Sequence, residues 1–315
     1  MRTQLSRRDF VRGALIAAGA LSVPQLLAAC PKVLAPMTAR SLDLLQRGLV
    51  AAGAKPGLSI FSGGEDYVGG IPNYMPIFMV QASQTIIGAD ATVWIAPGGG
   101  GDSAPQGPFP APWVSYAKPE PKPSPQGFNH IDLTFAHAGI WQLLVEAKTS
   151  AGTYIGTSAL LIRTVGETLV PGQRALASQT PTFDNPRGVH PICTRTPPCP
   201  FHRITLAKAL TLGKPTAFFV GTPRYCMSRN CGPSLEELIS VAAQIGDRAS
   251  FVHSEVYRSD NPQDIQRQVE APTFKQWHMQ SEPWLFLIDR TGVISKRFEG
   301  ADAASIFGPA LQTLL

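Results

Sequence analysis

Cys226 and Cys231 stand with four residues between them in YCMSRNCGPSLEEL, and Cys193 and Cys199 with five between them in CTRTPPCPFH. Cysteines paired this closely suit three chemistries: a dithiol cycling with its disulfide, a soft-ligand metal site, or a covalent staple. For Cys226 and Cys231 all three stay open on spacing alone. Two soft thiolates joined by His278, five positions before Pro283, would suit Cu(I). The prolines and polar flanks of CTRTPPCPFH point instead to an exposed local disulfide, Cys193 to Cys199. A relay to the other pair and zinc held with His190 and His202 are the alternatives. His253, in the apolar run SFVHSEVY, reads as a satisfied core histidine, and Glu255, two residues on, shares its strand face.

Positioning these residues requires particular elements. TAFFVG has the apolar, aromatic character of a buried strand, and SLEELISVAAQIG the spacing of an amphipathic helix. A strand ending at Pro223 and a helix beginning near Cys226 put that sulfur at a helix N-terminus, where unpaired N–H groups and the dipole favour thiolate. Cys226 is therefore the expected nucleophile and Cys231 the resolving thiol. Around them, TLAKALTLGKP predicts a short helix capped by Thr205, ASFVHSEVY a strand and PTFKQWHM another short helix. A hairpin turning at Asp289 to Gly292 and a last helix in AASIFGPALQTLL follow. Helices alternating with strands predict an α/β sheet over residues 204–315.

Residues 57–166 read differently. GLSIFS, YMPIFMVQAS, ATVWIAP, NHIDLTFA, GIWQLLVEAK and YIGTSALLIR are short strands separated by turns, which predicts an all-β sandwich; the stretch resembles immunoglobulin-like modules of exported bacterial proteins. The proline-rich run from Gly98 to Gln126 predicts a long surface loop pinned by Trp113 and Tyr116. Residues 167–203 predict a linker and residues 30–56 a tether or helix. Residues 1–29 combine a basic start, Arg7–Arg8 and a short apolar run, as an export signal does. SRRDFV resembles the twin-arginine signal, and LAAC resembles a lipobox, which implies lipid on Cys30, export, and anchoring on the outer side of the cytoplasmic membrane. Lipidation there also accounts for the odd cysteine among five. The signal holds four of the 27 basic and one of the 22 acidic residues, leaving 23 and 21, so no excess charge points to nucleic acid. A chain that is 44% hydrophobic is not a disordered one.

GKPTAFFVGTPRYC…CGPSLEEL, followed by SEPWLFLIDRTGVISKRFEG, resembles the thioredoxin superfamily, in particular TlpA/ResA-like thiol-disulfide oxidoreductases, over residues 204–315. The resemblance implies a thioredoxin-like domain and extracytoplasmic thiol-disulfide exchange with protein thiols, disulfides or a membrane-bound redox partner. It also implies a substrate-positioning cis-proline at Pro283, a proton-carrier role for Glu255, and no cofactor. The chain departs from the family pattern in having four residues between its cysteines instead of two, and Ser234 after CGP; the direction of electron flow is left open. The cysteine pair with a distal histidine also resembles Sco-type copper chaperones, which implies copper on Cys226, Cys231 and His278. A non-catalytic binding lipoprotein is the third reading.

Overall fold

The computed structural model describes residues 40–98, 103–117, 126–267 and 269–315. The export signal and Cys30 lie outside the described residues. Helix α1 (Arg40–Ala51) lays Leu42 against Ala96, Leu144 and Ile155, so of the two expectations for this segment, tether or helix, residues 40–51 are a packed helix.

The strands are β1 (Lys55–Pro56), β2 (Leu58–Ser62), β3 (Tyr67–Val68), β4 (Pro72–Gln81), β5 (Gln84–Thr85), β6 (Ala91–Pro97), β7 (Gln106–Ala111), β8 (Trp113–Ser115), β9 (Gly127–Thr134), β10 (Gly139–Thr149) and β11 (Gly152–Arg163). One sheet runs β1-β11-β10-β6-β7 and the other β2-β4-β9-β8. Alternation decides which side chains turn inward. In β10, Trp141, Leu143 and Val145 meet Met75, Ile77, Ile131 and Leu133 from the opposing sheet. The proline-rich run is not wholly a loop: β7 and β8 form within it, each at a sheet edge, where a residue lacking N–H costs no ladder bond.

In the C-terminal part, β12 (Thr216–Val220), β13 (Ser250–Ser254), β14 (Trp284–Ile288) and β15 (Ile294–Glu299) form a sheet in the order β13-β12-β14-β15. β13 is parallel to β12, while β14 is antiparallel to both β12 and β15. Every residue of β12 and β14 is buried, as central strands covered on both faces require. The helices are α2 (Leu206–Ala209), α3 (Cys231–Ile245), α4 (Pro262–Arg267), α5 (Pro272–Gln276) and α6 (Ala304–Gln312). Thr205 caps α2 as expected, its hydroxyl accepting from the Lys208 N–H at 3.0 Å. Among the described residues no helix is long and apolar enough to cross a membrane.

The linker expectation needs correction, because residues 167–203 pack on the α/β sheet. The Ala175 N–H donates to the Gly292 carbonyl at 2.9 Å, and the Trp277 indole N–H donates to Ser178 Oγ at 2.9 Å. The two sheet systems also share a core: Tyr74, Tyr116 and Phe128 of the sandwich join Phe219, Leu285, Phe298 and Phe307. At their junction Arg297 Nη1 lies 2.8 Å from Asp66 Oδ2, with both side chains buried. The described residues accordingly form one compact unit.

Candidate functional site

β12 leads through Gly221 into the loop that carries Cys226, and the helix begins five residues later than the sequence predicts, at Cys231. Arg229 explains the delay, since its φ of 60° is left-handed and cannot belong to a right-handed helix. Pro233 falls in the first turn, where its missing N–H is harmless. The Asn230 side chain does not cap the helix; the Cys226 sulfur takes part of that role. The Cys231 backbone N–H donates to Cys226 Sγ at 3.3 Å, and Ser228 Oγ lies 3.2 Å from the same sulfur.

These contacts separate the two thiols. The Cys226 pKa is lowered, first by hydrogen bonding from the Cys231 thiol and then, against the cost of burial, by Ser228 and the Cys231 N–H; the nearby Glu282 charge opposes this. The Cys231 thiol is pushed up, by burial first and then by Cys226. Cys226 retains 8% exposure and Cys231 none. One sulfur thus favours thiolate at the edge of the surface, and the other stays protonated behind it.

The surroundings bring in Pro283. The Glu282–Pro283 peptide is cis, as expected, and Glu282 acts electrostatically on both sulfurs. Met227 is 82% exposed. With Ser228, Asn230 and Glu282 it lines one wall of a cleft of about 740 Å³, whose other wall is the sandwich face with Phe61, Phe78 and Trp113. Tyr116, expected beside Trp113 in a surface loop, is buried, and its hydroxyl donates to Asn230 Oδ1 at 3.2 Å. Arg224 and Arg229 are exposed. Trp284 is core, stacked on Phe286 with ring centroids 5.4 Å apart.

The second pair is not the exposed staple expected. Cys193 and Cys199 are free thiols and both are buried, because Phe201 stacks on Phe251 and draws the segment into the shared core. Both sulfurs approach His253 Nδ1, Cys193 at 3.7 Å and Cys199 at 3.3 Å. His253 Nε2 faces the Gly221 carbonyl at 3.1 Å. That oxygen only accepts, so Nε2 carries a proton and Nδ1 faces the sulfurs; against the cost of burial, which lowers it, Cys193 raises the ring's pKa. His202 is fully buried with its ring centroid 4.7 Å from that of His253; among the described residues its ring nitrogens form no well-aligned hydrogen bond, with Cys193 and the Pro181 carbonyl as their polar neighbours. Burial lowers the His202 pKa, against the pull of Cys193. The Cys193 thiol is held far below the ordinary range by hydrogen bonding with Cys199, whose own pKa is raised in turn; the pair favours a single negative charge.

Glu255, expected to serve Cys226 and Cys231, sits beside the other pair. Its Oε1 accepts from the Thr194 N–H at 2.6 Å and from Thr194 Oγ1 at 3.0 Å. Burial raises its pKa to about 7, partly offset by His253. His190 is exposed and does not join the cysteines. His278 lines other pockets, with Glu167 and Trp277, and is not brought into a potential metal cluster with Cys226 and Cys231 among the described residues. Sequence reasoning missed the meeting of His202 and His253 at Cys193 and Cys199. The available signal was the two-residue gap between Cys199 and His202 in CPFH.

No protein-family model matches the chain, and no curated protein matches it. Among solved structures, the PKD domain of the human VPS10 domain-containing receptor SorCS2 is similar at 12% identity over 47% of this chain and 93% of that one. The TM-score is 0.19, which carries no conclusion about a shared fold.

Proposed function

We propose that the protein is an extracytoplasmic thiol-disulfide oxidoreductase working through Cys226 and Cys231 on a thioredoxin-like domain. The carrying observation is the Cys226 sulfur, at the start of α3, hydrogen-bonded by the Cys231 N–H at 3.3 Å, with its chain neighbours Met227 and Ser228 lining the cleft. The β13-β12-β14-β15 order, with a helix following β12 and a cis Pro283 leading into β14, supports the domain reading. The export and lipid-anchor motifs of residues 1–30 support an outer location at the membrane surface.

The chemistry follows from the difference between the two thiols. Cys226 thiolate attacks one sulfur of a partner disulfide; a mixed S–S bond forms and the partner's second sulfur leaves as thiolate. That thiolate takes the Cys231 proton. Cys231 then attacks Cys226 Sγ, forming the internal disulfide and expelling the partner's first sulfur, which is protonated from solvent. The partner gains two electrons and two protons, and the reverse sequence oxidises a dithiol. Burial keeps Cys231 protonated and inert until the mixed disulfide has formed. The sandwich supplies the opposite cleft wall, with Phe61, Phe78 and Trp113 as apolar contacts for a protein partner.

Cys231→Ser should trap mixed disulfides that disappear on addition of reductant and are absent from Cys226→Ser/Cys231→Ser. Equal trapping by the double variant would refute the assignment.

A further inference from the structure

The buried group around Cys193 belongs to no step of this exchange, and its chemistry points elsewhere. We propose that Cys193, Cys199, His202 and His253 form a closed, four-coordinate zinc site that ties the Cys193–His202 segment to β13.

The four ligand atoms lie within 4.8 Å of one another, and all four residues are buried. A tetrahedral Zn²⁺ with ordinary Zn–S and Zn–N bonds needs sulfur–nitrogen separations of roughly 3.6 Å. The observed separations from His253 Nδ1 are 3.7 and 3.3 Å. His202 gives the second indication. A fully buried imidazole with no well-aligned hydrogen bond among the described residues is costly, and a metal bond to one nitrogen, in place of its loose contact with Cys193, would remove part of that cost. The third is the orientation of His253, whose Nε2–H donates to the Gly221 carbonyl in the manner of an outer-shell contact that orients a metal-bound imidazole.

Charge and donor set select the metal. Two thiolates and two neutral imidazoles around Zn²⁺ sum to zero, the state a buried site holds at least cost. Mixed sulfur–nitrogen donors in tetrahedral array favour zinc, whereas Cu(I) is selected by soft sulfur ligands. Cys193 keeps 3% exposure and the other three residues none, so no coordination position is left open to substrate and the site is structural. It also lies near the exchange loop: Gly221, whose carbonyl accepts from His253, is close enough to Cys231 that an added Cβ, besides striking the Phe219 ring at 2.6 Å, would sit 3.4 Å from the Cys231 Cβ.

The test is metal analysis of the full chain purified under reducing conditions from zinc-supplied cells. About one zinc per chain is expected. It should persist in Cys226→Ser/Cys231→Ser, and affinity should fall by more than about 100-fold in Cys199→Ser and His253→Ala, beyond the range for loss of an outer-shell contact. Cobalt(II) should give tetrahedral d–d bands with thiolate charge transfer. Should the variants fail to fold, alkylation mapping of the wild type decides: added zinc should protect Cys193 and Cys199 and leave Cys226 reactive. Stoichiometric Cu(I) with no zinc or cobalt binding would overturn the zinc assignment. A Cys193–Cys199 disulfide whose reduction yields no metal uptake would overturn the site.

Discussion

Removing the Ser228 hydroxyl should raise the Cys226 pKa by a definable amount. In the structure Ser228 Oγ lies 3.2 Å from Cys226 Sγ and lowers its pKa, together with the Cys231 thiol and N–H. A hydrogen bond to a charged group is worth about 1.5–3 kcal/mol, and contact with a large sulfur at the protein surface places this one nearer about 1 kcal/mol. Dividing by about 1.4 kcal/mol per pKa unit, Ser228→Ala should shift Cys226 upward by about 0.7 unit. The assay is alkylation of the reduced protein across pH, with Cys226 followed by peptide mass mapping. The midpoint of the rate profile is the readout, not the rate at one pH, because thiolate nucleophilicity itself falls as the pKa falls. The wild-type midpoint should lie below the free-thiol value of about 8.5, since a lowered pKa leaves more thiolate at each lower pH. A wild-type midpoint at or above that value, or an unmoved midpoint in Ser228→Ala, would refute the reasoning about the helix start.

Two further outcomes concern the scaffold. Arg297→Ala leaves the buried Asp66 carboxylate without its main cation and should cost about 3–5 kcal/mol in denaturant unfolding, with Asp66→Asn/Arg297→Met much less damaging. Glu299 is buried, accepts from the Asp66 N–H at 2.9 Å, and has its pKa raised to about 7 by burial. Its stabilising contribution is complete below the unfolded pKa of about 4.3 and is lost as pH rises through 7, so wild-type stability should fall over that window by up to about 3 kcal/mol relative to Glu299→Gln, measured by unfolding at a series of pH values.

Much of the frame was legible because local patterns suffice for it. The six sandwich segments announced themselves by alternation, as in Trp141, Leu143 and Val145, and all six appear as strands. Thr205 and the turn at Asp289 to Gly292 are local signals and fell where expected. The start of α3 did not, because the left-handed Arg229 that delays it carries no sequence mark such as glycine. Residues 167–203 read as a linker because they hold little regular structure, yet contacts such as Ser178 with Trp277 are long-range and leave no periodic trace. Non-local meeting also hid the site around Cys193. His253 looked like a core histidine from its strand, and only the parallel pairing of β12 with β13 carries it to Gly221 and the two sulfurs.

The central claim is that Cys226 and Cys231 form a reversible couple. Its most direct measurement is equilibration of the full chain in a series of glutathione redox buffers, followed by acid quench and mass mapping of the cysteine peptides. A single two-electron transition linking Cys226 to Cys231, and reversed by moving the buffer back, is the predicted result. Absence of that disulfide across the whole series, or pairing of Cys226 with Cys193 or Cys199 in its place, would contradict the account.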